Sequence, residues 1–150
     1  VIKNYFNVLL KKKQMKKAVS ILLVEDDRDD QEIFVLALKG IKNATLYDVV
    51  GNGKEALDRL KYALVFPDLI FSDINMPLMN GIEYLSKMSN DPRTRSIPII
   101  MLTSDMYTKE LALKLGAKSC IKKTSDEIML REQVEQMVGL TFPLSNQRLE

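Results

Sequence analysis

Five short runs of apolar, mostly branched residues, at 21–24, 45–50, 69–72, 99–102 and 119–121, alternate with segments whose apolar side chains recur at helical spacing. With brief turns between them, that alternation admits few folds, and the simplest is a parallel sheet wrapped by helices. The first, third and fourth runs are nearly pure hydrocarbon, whereas the second carries Tyr47-Asp48 and the fifth is short and flanked by Lys118 and Lys122. Polar strands belong at sheet edges and apolar ones in the middle. A first helix is predicted over 28–39, with Ile33, Phe34, Ala37 and Leu38 on one face and Gly40 in the left-handed position that follows a helix. Asn52 with Glu55, and Asn80 with Glu83, each read as a cap and its carboxylate partner, opening the second and third helices. A fourth is predicted from about 107 to 115, ending at Gly116, and a fifth from about 126 to 138 with Leu130, Val134 and Met137 facing inward.

A chain of 150 residues, 46% hydrophobic and 28% charged, suffices for one globular domain. Cys120 is the single cysteine, which excludes an internal disulfide, and no apolar run is long enough to span a membrane. A reducing, cytoplasmic setting is expected. Residues 1–17 hold six lysines and no acid; taking these from the net charge of +2 leaves −4 for the rest. The segment 1–19 is read as a basic extension, frayed or non-native, with Met15 as the natural start. Residues 20–138 form the folded domain. The tail 139–150 is too short for an effector domain, direct DNA binding is not expected, and Leu149-Glu150 reads as a cloning remnant.

The chemistry gathers at strand ends. Phe71-Ser72-Asp73 closes an apolar run and opens onto a loop, Ile74 to Gly81, which leaves one carboxylate where burial is costly without a cation partner. A second acidic group, Glu25-Asp26-Asp27, closes the equally apolar run 21–24. Together they read as a phosphoryl-accepting aspartate beside a Mg²⁺ pocket. In an open parallel sheet, ligands bind outside the carboxyl ends of the strands. Thr103 and Lys123 end or follow the fourth and fifth strands, so four strand ends converge on one pocket.

Glu25-Asp26, Asp73 followed by Met76-Pro77 and Asn80-Gly81, Thr103-Ser104, and Lys123 behind Gly116-Ala117 resemble the receiver domain of two-component response regulators over residues 20–138. The resemblance implies a flavodoxin-like, doubly wound α/β fold of five βα units, a five-stranded parallel sheet in the order 2-1-3-4-5. The start Glu25-Asp26-Asp27-x-Asp29-Asp30, with Asn90-Asp91-Pro92 and Ile97-Pro98, is also similar to the stand-alone, chemotaxis-regulator-like subgroup that serves bacteriophytochromes and other hybrid kinases.

What the resemblance implies for single residues fits their chemistry. Mg²⁺ takes oxygen ligands and keeps several waters, so Asp26, Asp73 and the Asn75 backbone carbonyl suffice, with Glu25 acting through a water. Asp73 accepts the phosphoryl group, Lys123 pairs with one phosphoryl oxygen, and the Thr103 hydroxyl swings inward to another, beginning the switch. Asn75 and Asp105 flank the path of an attacking water. Asp27 reads as structural, and Asp29 and Asp30 as helix N-terminal charges. Spacing from Gly116-Ala117 favours Lys123 over Lys122.

Two departures stand out. Thr124 replaces the proline that normally follows the lysine, and Cys120 occupies the position of the usual aromatic switch residue. Cys120 itself is read as a small buried hydrophobe, not a redox group. The expected activity is therefore that of a phospho-acceptor signalling protein, not a true enzyme, which assists its own phosphorylation and dephosphorylation. Its donor is a histidine kinase or phosphotransfer protein. Output is expected through contact with a downstream protein, on the face of the fourth helix, fifth strand and fifth helix near Met106, Tyr107 and Met129, where a homodimer is also expected. The alternative is a pseudo-receiver that binds partners without phosphorylation. An aspartate-dependent phosphohydrolase is disfavoured, since Asn75 stands where that class needs a second aspartate.

Overall fold

The computed structural model describes residues 1–13 and 18–143, the side chains of 8–13 excepted. The expected start at Met15 and the terminal Leu149-Glu150 lie outside the described residues. Five parallel strands, β1 (Val19–Val24), β2 (Ala44–Val50), β3 (Leu69–Asp73), β4 (Ile99–Thr103) and β5 (Ser119–Lys122), form one sheet in the order β2-β1-β3-β4-β5. The polar runs are the two edges and the hydrocarbon runs the middle, as the sequence predicts.

Between them lie α2 (Arg28–Lys39), α3 (Gly53–Lys61), α4 (Gly81–Asn90) and α5 (Lys109–Lys114), and α6 (Glu127–Thr141) follows β5. A further helix, α1 (Ile2–Lys13), precedes the sheet and leaves Ile2, Tyr5 and Phe6 exposed. The predicted fourth helix opens with a 3₁₀ turn, Met106–Thr108, before α5, and the fifth runs three residues past 138.

Strand side chains alternate between faces. Ile21, Leu23, Leu69, Phe71, Ile100 and Leu102 meet Phe34, Ala37 and Leu38 of α2 and Leu130, Val134 and Val138 of α6. On the opposite face Leu22, Val24, Ile70 and Met101 meet Ala56 and Leu60 of α3, Tyr84, Leu85 and Met88 of α4, and Ala112 of α5. Each large side chain so buried contributes about 1.5–3 kcal/mol before chain entropy is charged against it. Phe34 and Phe71 tilt against each other at 5.2 Å, tying α2 to β3.

Local signals explain the helix starts and one correction. Asn52 and Asn80 cap α3 and α4, accepting the backbone N–H of Glu55 and Glu83 at 3.0 and 2.9 Å. The Glu55 carboxylate reaches back to Gly51 N–H at 2.7 Å, one residue beyond the cap itself. Gly40 is not left-handed as expected: its φ of −79° is right-handed, and it closes α2 on the Ala37 and Leu38 carbonyls. Its missing Cβ matters for another reason, since one built there would lie 2.6 Å from Arg131 Cδ of α6.

The β1–β2 ladder slips by one residue after Ile21, so that Ile21 faces Leu46 but Leu22 faces Asp48. Tyr47 sits in this bulge; its hydroxyl donates to the Val65 carbonyl at 2.7 Å, and Arg59 lies over its ring while pairing with Asp48 at 2.9 Å.

Candidate functional site

Ladder register brings the strand ends level. Val24 pairs with both Val50 and Ser72, Asp73 with Leu102, and Thr103 with Lys122. The residues that end or follow β1, β3, β4 and β5 therefore share one rim. Glu25 keeps its backbone in the sheet by donating to the Val50 carbonyl at 2.9 Å, and Lys123 N–H donates to the Thr103 carbonyl at 2.8 Å.

Glu25 is 1% exposed and Asp73 6%, yet both carry carboxylates. Glu25 Oε1 accepts Asp27 N–H at 3.1 Å and Oε2 accepts Lys123 Nζ at 2.8 Å. Asp73 Oδ1 accepts Ile74 N–H at 2.7 Å, and Oδ2 lies 3.4 Å from Lys123 Nζ. The ammonium also meets Asp30 Oδ2 at 2.7 Å. One lysine thus bridges three carboxylates.

Burial governs the charge states. It pushes the Glu25 carboxyl up to about 7, against the pull of Lys123 and the Asp27 N–H. Asp73 is likewise raised by burial, opposed by Lys123 and by the N–H groups of Ile74 and Asn75. For Lys123 burial acts downward, but Asp30, Glu25 and Asp73 outweigh it and hold the ammonium charged. Glu25, exposed Asp26 and Asp73 each offer a carboxylate oxygen within 4.8 Å of the others. Three hard oxygen donors with more negative charge than one ammonium neutralises fit a divalent cation that prefers oxygen ligands.

Behind Asp73 the chain turns sharply. Gly81 N–H donates to the Ile74 carbonyl at 2.7 Å, and a Cβ on Gly81 would run into the Asp73 carbonyl oxygen and come 2.8 Å from Ile74 Cα. Only glycine lets α4 start this close to the acidic strand end. Leu78, in the same loop, has a φ of +64° and is 83% exposed.

Not every predicted residue points into the pocket. Thr103 is buried, but its hydroxyl donates to the Asp105 carbonyl at 2.7 Å and accepts Asp105 N–H at 3.0 Å. It faces the loop after β4, not Asp73. The Asp105 carboxylate accepts Tyr107 N–H at 2.8 Å, capping the 3₁₀ turn. Asn75 is exposed and turns its N–H to the Asp73 carboxylate. Cys120, 5% exposed, packs in the apolar layer opposite Met101, and burial raises its thiol pKa. Met106, Tyr107 and Met129 are exposed.

Lys123 reaches the pocket without a following proline, and among the described residues no peptide bond is cis. Asp30 is the site residue that sequence reasoning assigned to a helix end. A signal for it existed: Asp30 stands four residues before buried Phe34, on the apolar stripe of α2, where a carboxylate needs a partner.

Comparison with known proteins bears on the same arrangement. The chain is 34% identical over 127 residues to the response regulator Rre1 of Synechocystis, covering 83% of this chain and 54% of that protein. It is 30% identical over 123 residues to the chemotaxis protein CheY1 of Helicobacter pylori, covering 81% and 98%. Among solved structures, the phosphorylated cyanobacterial phytochrome response regulator RcpA superposes with a TM-score of 0.74 at 25% identity, over 84% of this chain and 95% of that one. The chain thus spans nearly all of CheY1 but about half of Rre1. Residues 21–135 match the family model for the response regulator receiver domain, and this span holds β2 to β5, all of β1 but its first two residues, and the whole acidic rim; the chain belongs to that family.

Proposed function

We propose that this receiver accepts a phosphoryl group on Asp73 from a histidine kinase or phosphotransfer protein, with Mg²⁺, and passes the signal on by protein contact. The observation that carries the reading is Asp73 itself: a nearly buried carboxylate 3.4 Å from a lysine ammonium and within one cluster of three acids. An Asp73 oxygen forms the new bond to phosphorus as the phosphorus–nitrogen bond of the donor's phosphohistidine breaks. The electron pair leaves on the imidazole, which takes up a proton. Such transfer asks for alignment and charge compensation more than for covalent help.

Asp26, Asp73 and the Asn75 carbonyl would hold the metal, with Glu25 acting through a water. When bound, Mg²⁺ supplies positive charge that offsets repulsion among the carboxylates and on the phosphoryl oxygens. Lys123 compensates one further phosphoryl oxygen. Thr103 leaves its bonds to Asp105 and turns toward the phosphoryl group, and that turn remodels the loop after β4. Cys120 gives this motion less to displace than an aromatic residue would. Asn75 and Asp105 flank the water that later hydrolyses the acyl phosphate. Output uses the face of α5, β5 and α6, where Met106, Tyr107 and Met129 are exposed, and a homodimer across that face is testable by mass measurement at rising concentration.

The test is direct: incubation with a small-molecule phosphodonor and Mg²⁺, then peptide mass spectrometry. A phosphoryl increment on the Asp73 peptide, absent in Asp73→Asn and without the dication, supports the proposal. No increment under any donor favours the second reading, a phosphorylation-independent binding module, for which the outward Thr103 hydroxyl and the small Cys120 speak.

A further inference from the structure

Lys123 carries more of the pocket than its backbone controls. Thr124 follows it, so no ring fixes the next φ. Its stem is long and flexible, and side chains of this kind carry about 2 kcal/mol of rotamer entropy. Nζ is nevertheless gathered among Asp30, Glu25 and Asp73 at 2.7, 2.8 and 3.4 Å. The shortest contact is to Asp30, which lies outside the cluster of Glu25, Asp26 and Asp73.

Asp30 is itself firmly mounted. Its backbone N–H is bonded to the cap residue Asp27 at 3.0 Å, and one helical turn on, Phe34 anchors α2 against Phe71. Glu25 and Asp73 belong both to the ammonium and to the cluster that fits a dication. Once that cluster is neutralised, their hold on Lys123 weakens. Asp30 stands apart from this competition, and at 36% side-chain exposure it lies at the rim.

We propose that Asp30 is a positioning residue for Lys123, keeping the ammonium at the mouth of the Asp73 pocket when the carboxylate cluster is neutralised, in place of the backbone restraint that Thr124 does not provide. The inference rests on the acceptor reading given above and deepens it. Asp30 acts through Lys123 alone and need not touch the phosphoryl group.

Competitive acetylation with acetic anhydride, read by peptide mass spectrometry, tests the contact without any turnover. In Mg²⁺, Lys123 of Asp30→Asn is expected to react about fivefold faster than in wild type relative to exposed Lys122, with Asp30→Glu restoring protection. Equal rates overturn the proposal. A second arm measures phosphorylation of Asp73 by acetyl phosphate. The expected result for Asp30→Asn is an about fivefold lower maximal rate, an unchanged half-saturating Mg²⁺ concentration, and no further loss when combined with Lys123→Met. A raised Mg²⁺ requirement at unchanged maximal rate, or a loss that persists beside Lys123→Met, overturns the positioning role. Circular dichroism and Tm confirm that Asp30→Asn folds. Protection of Lys123 in a wild-type protein that never takes phosphate sinks the acceptor reading alone; a phosphorylated wild type indifferent to Asp30→Asn sinks only the inference.

Discussion

Gly81 stands so close to Asp73 that a Cβ on the first residue of α4 would collide with the Asp73 carbonyl oxygen. The helix start and the acidic strand end are therefore one packed unit. Gly81→Ala is expected to destabilise the protein by about 1–3 kcal/mol, as overpacking does, and to lower phosphorylation more than stability alone accounts for. Urea unfolding and the mass-increment assay at a temperature where the variant stays folded check both. A fully stable, fully active variant would show that the close approach is dispensable.

The buried acids give stability a pH slope. Glu25 is held near pH 7 in the folded protein against an ordinary 4.5, so between these values the folded state binds more protons than the unfolded chain. Its contribution is fully present below pH 4.5 and is lost as pH rises toward 7, with Asp73 acting in the same direction. Metal-free Tm is expected to fall across that window, and Glu25→Gln to flatten the fall. Saturating Mg²⁺ should reverse it, since deprotonated carboxylates bind the ion, adding about 2.7 kcal/mol at a hundredfold excess over Kd. Tm profiles against pH with and without Mg²⁺ decide.

Thr103 and Asp105 are tied by two hydrogen bonds, and under the proposed function they serve different steps. Thr103→Ala is expected to leave Asp73 phosphorylation within about threefold of wild type while abolishing the change in hydrogen exchange over the 103–109 loop. Asp105→Ala is expected to change the lifetime of the acyl phosphate without preventing its formation. An unmoved lifetime would remove Asp105 from the water path.

Leu78 holds a φ of +64° with its side chain 83% exposed, so little burial offsets the backbone cost. Asparagine adopts this region more readily, and Leu78→Asn is expected to stabilise the protein by about 0.5–1 kcal/mol. Chemical denaturation measures it. A lower midpoint would mean that the leucine makes a contact worth more than the strain.

Much of the fold was legible because burial writes itself into residue type. The hydrocarbon runs at β1, β3 and β4 had nowhere to go but the middle of the sheet, and Asn52 and Asn80 announced their helices through short-range hydrogen bonds. The acidic rim followed, since carboxylates ending buried strands need partners. Lys123 and Glu25 lie 98 residues apart, and their contact was reachable only through the fold, not through local pattern. Asp30 was missed because an acid in a first helical turn has a sufficient local explanation, which hid its place on the Phe34 stripe. The outward hydroxyl of Thr103 is a rotamer chosen by the Asp105 backbone, and the Arg131 side chain of a distant helix lies over Gly40; neither arrangement leaves a trace in neighbouring residues.

The slip in the ladder at Tyr47 has its own consequence. An edge strand that kinks and carries a charged pair offers no straight row of unpaired amides for another molecule to copy. That side of the sheet is therefore a poor template for stacked fibrils, and copies of the chain that meet flank to flank find little there to seed on.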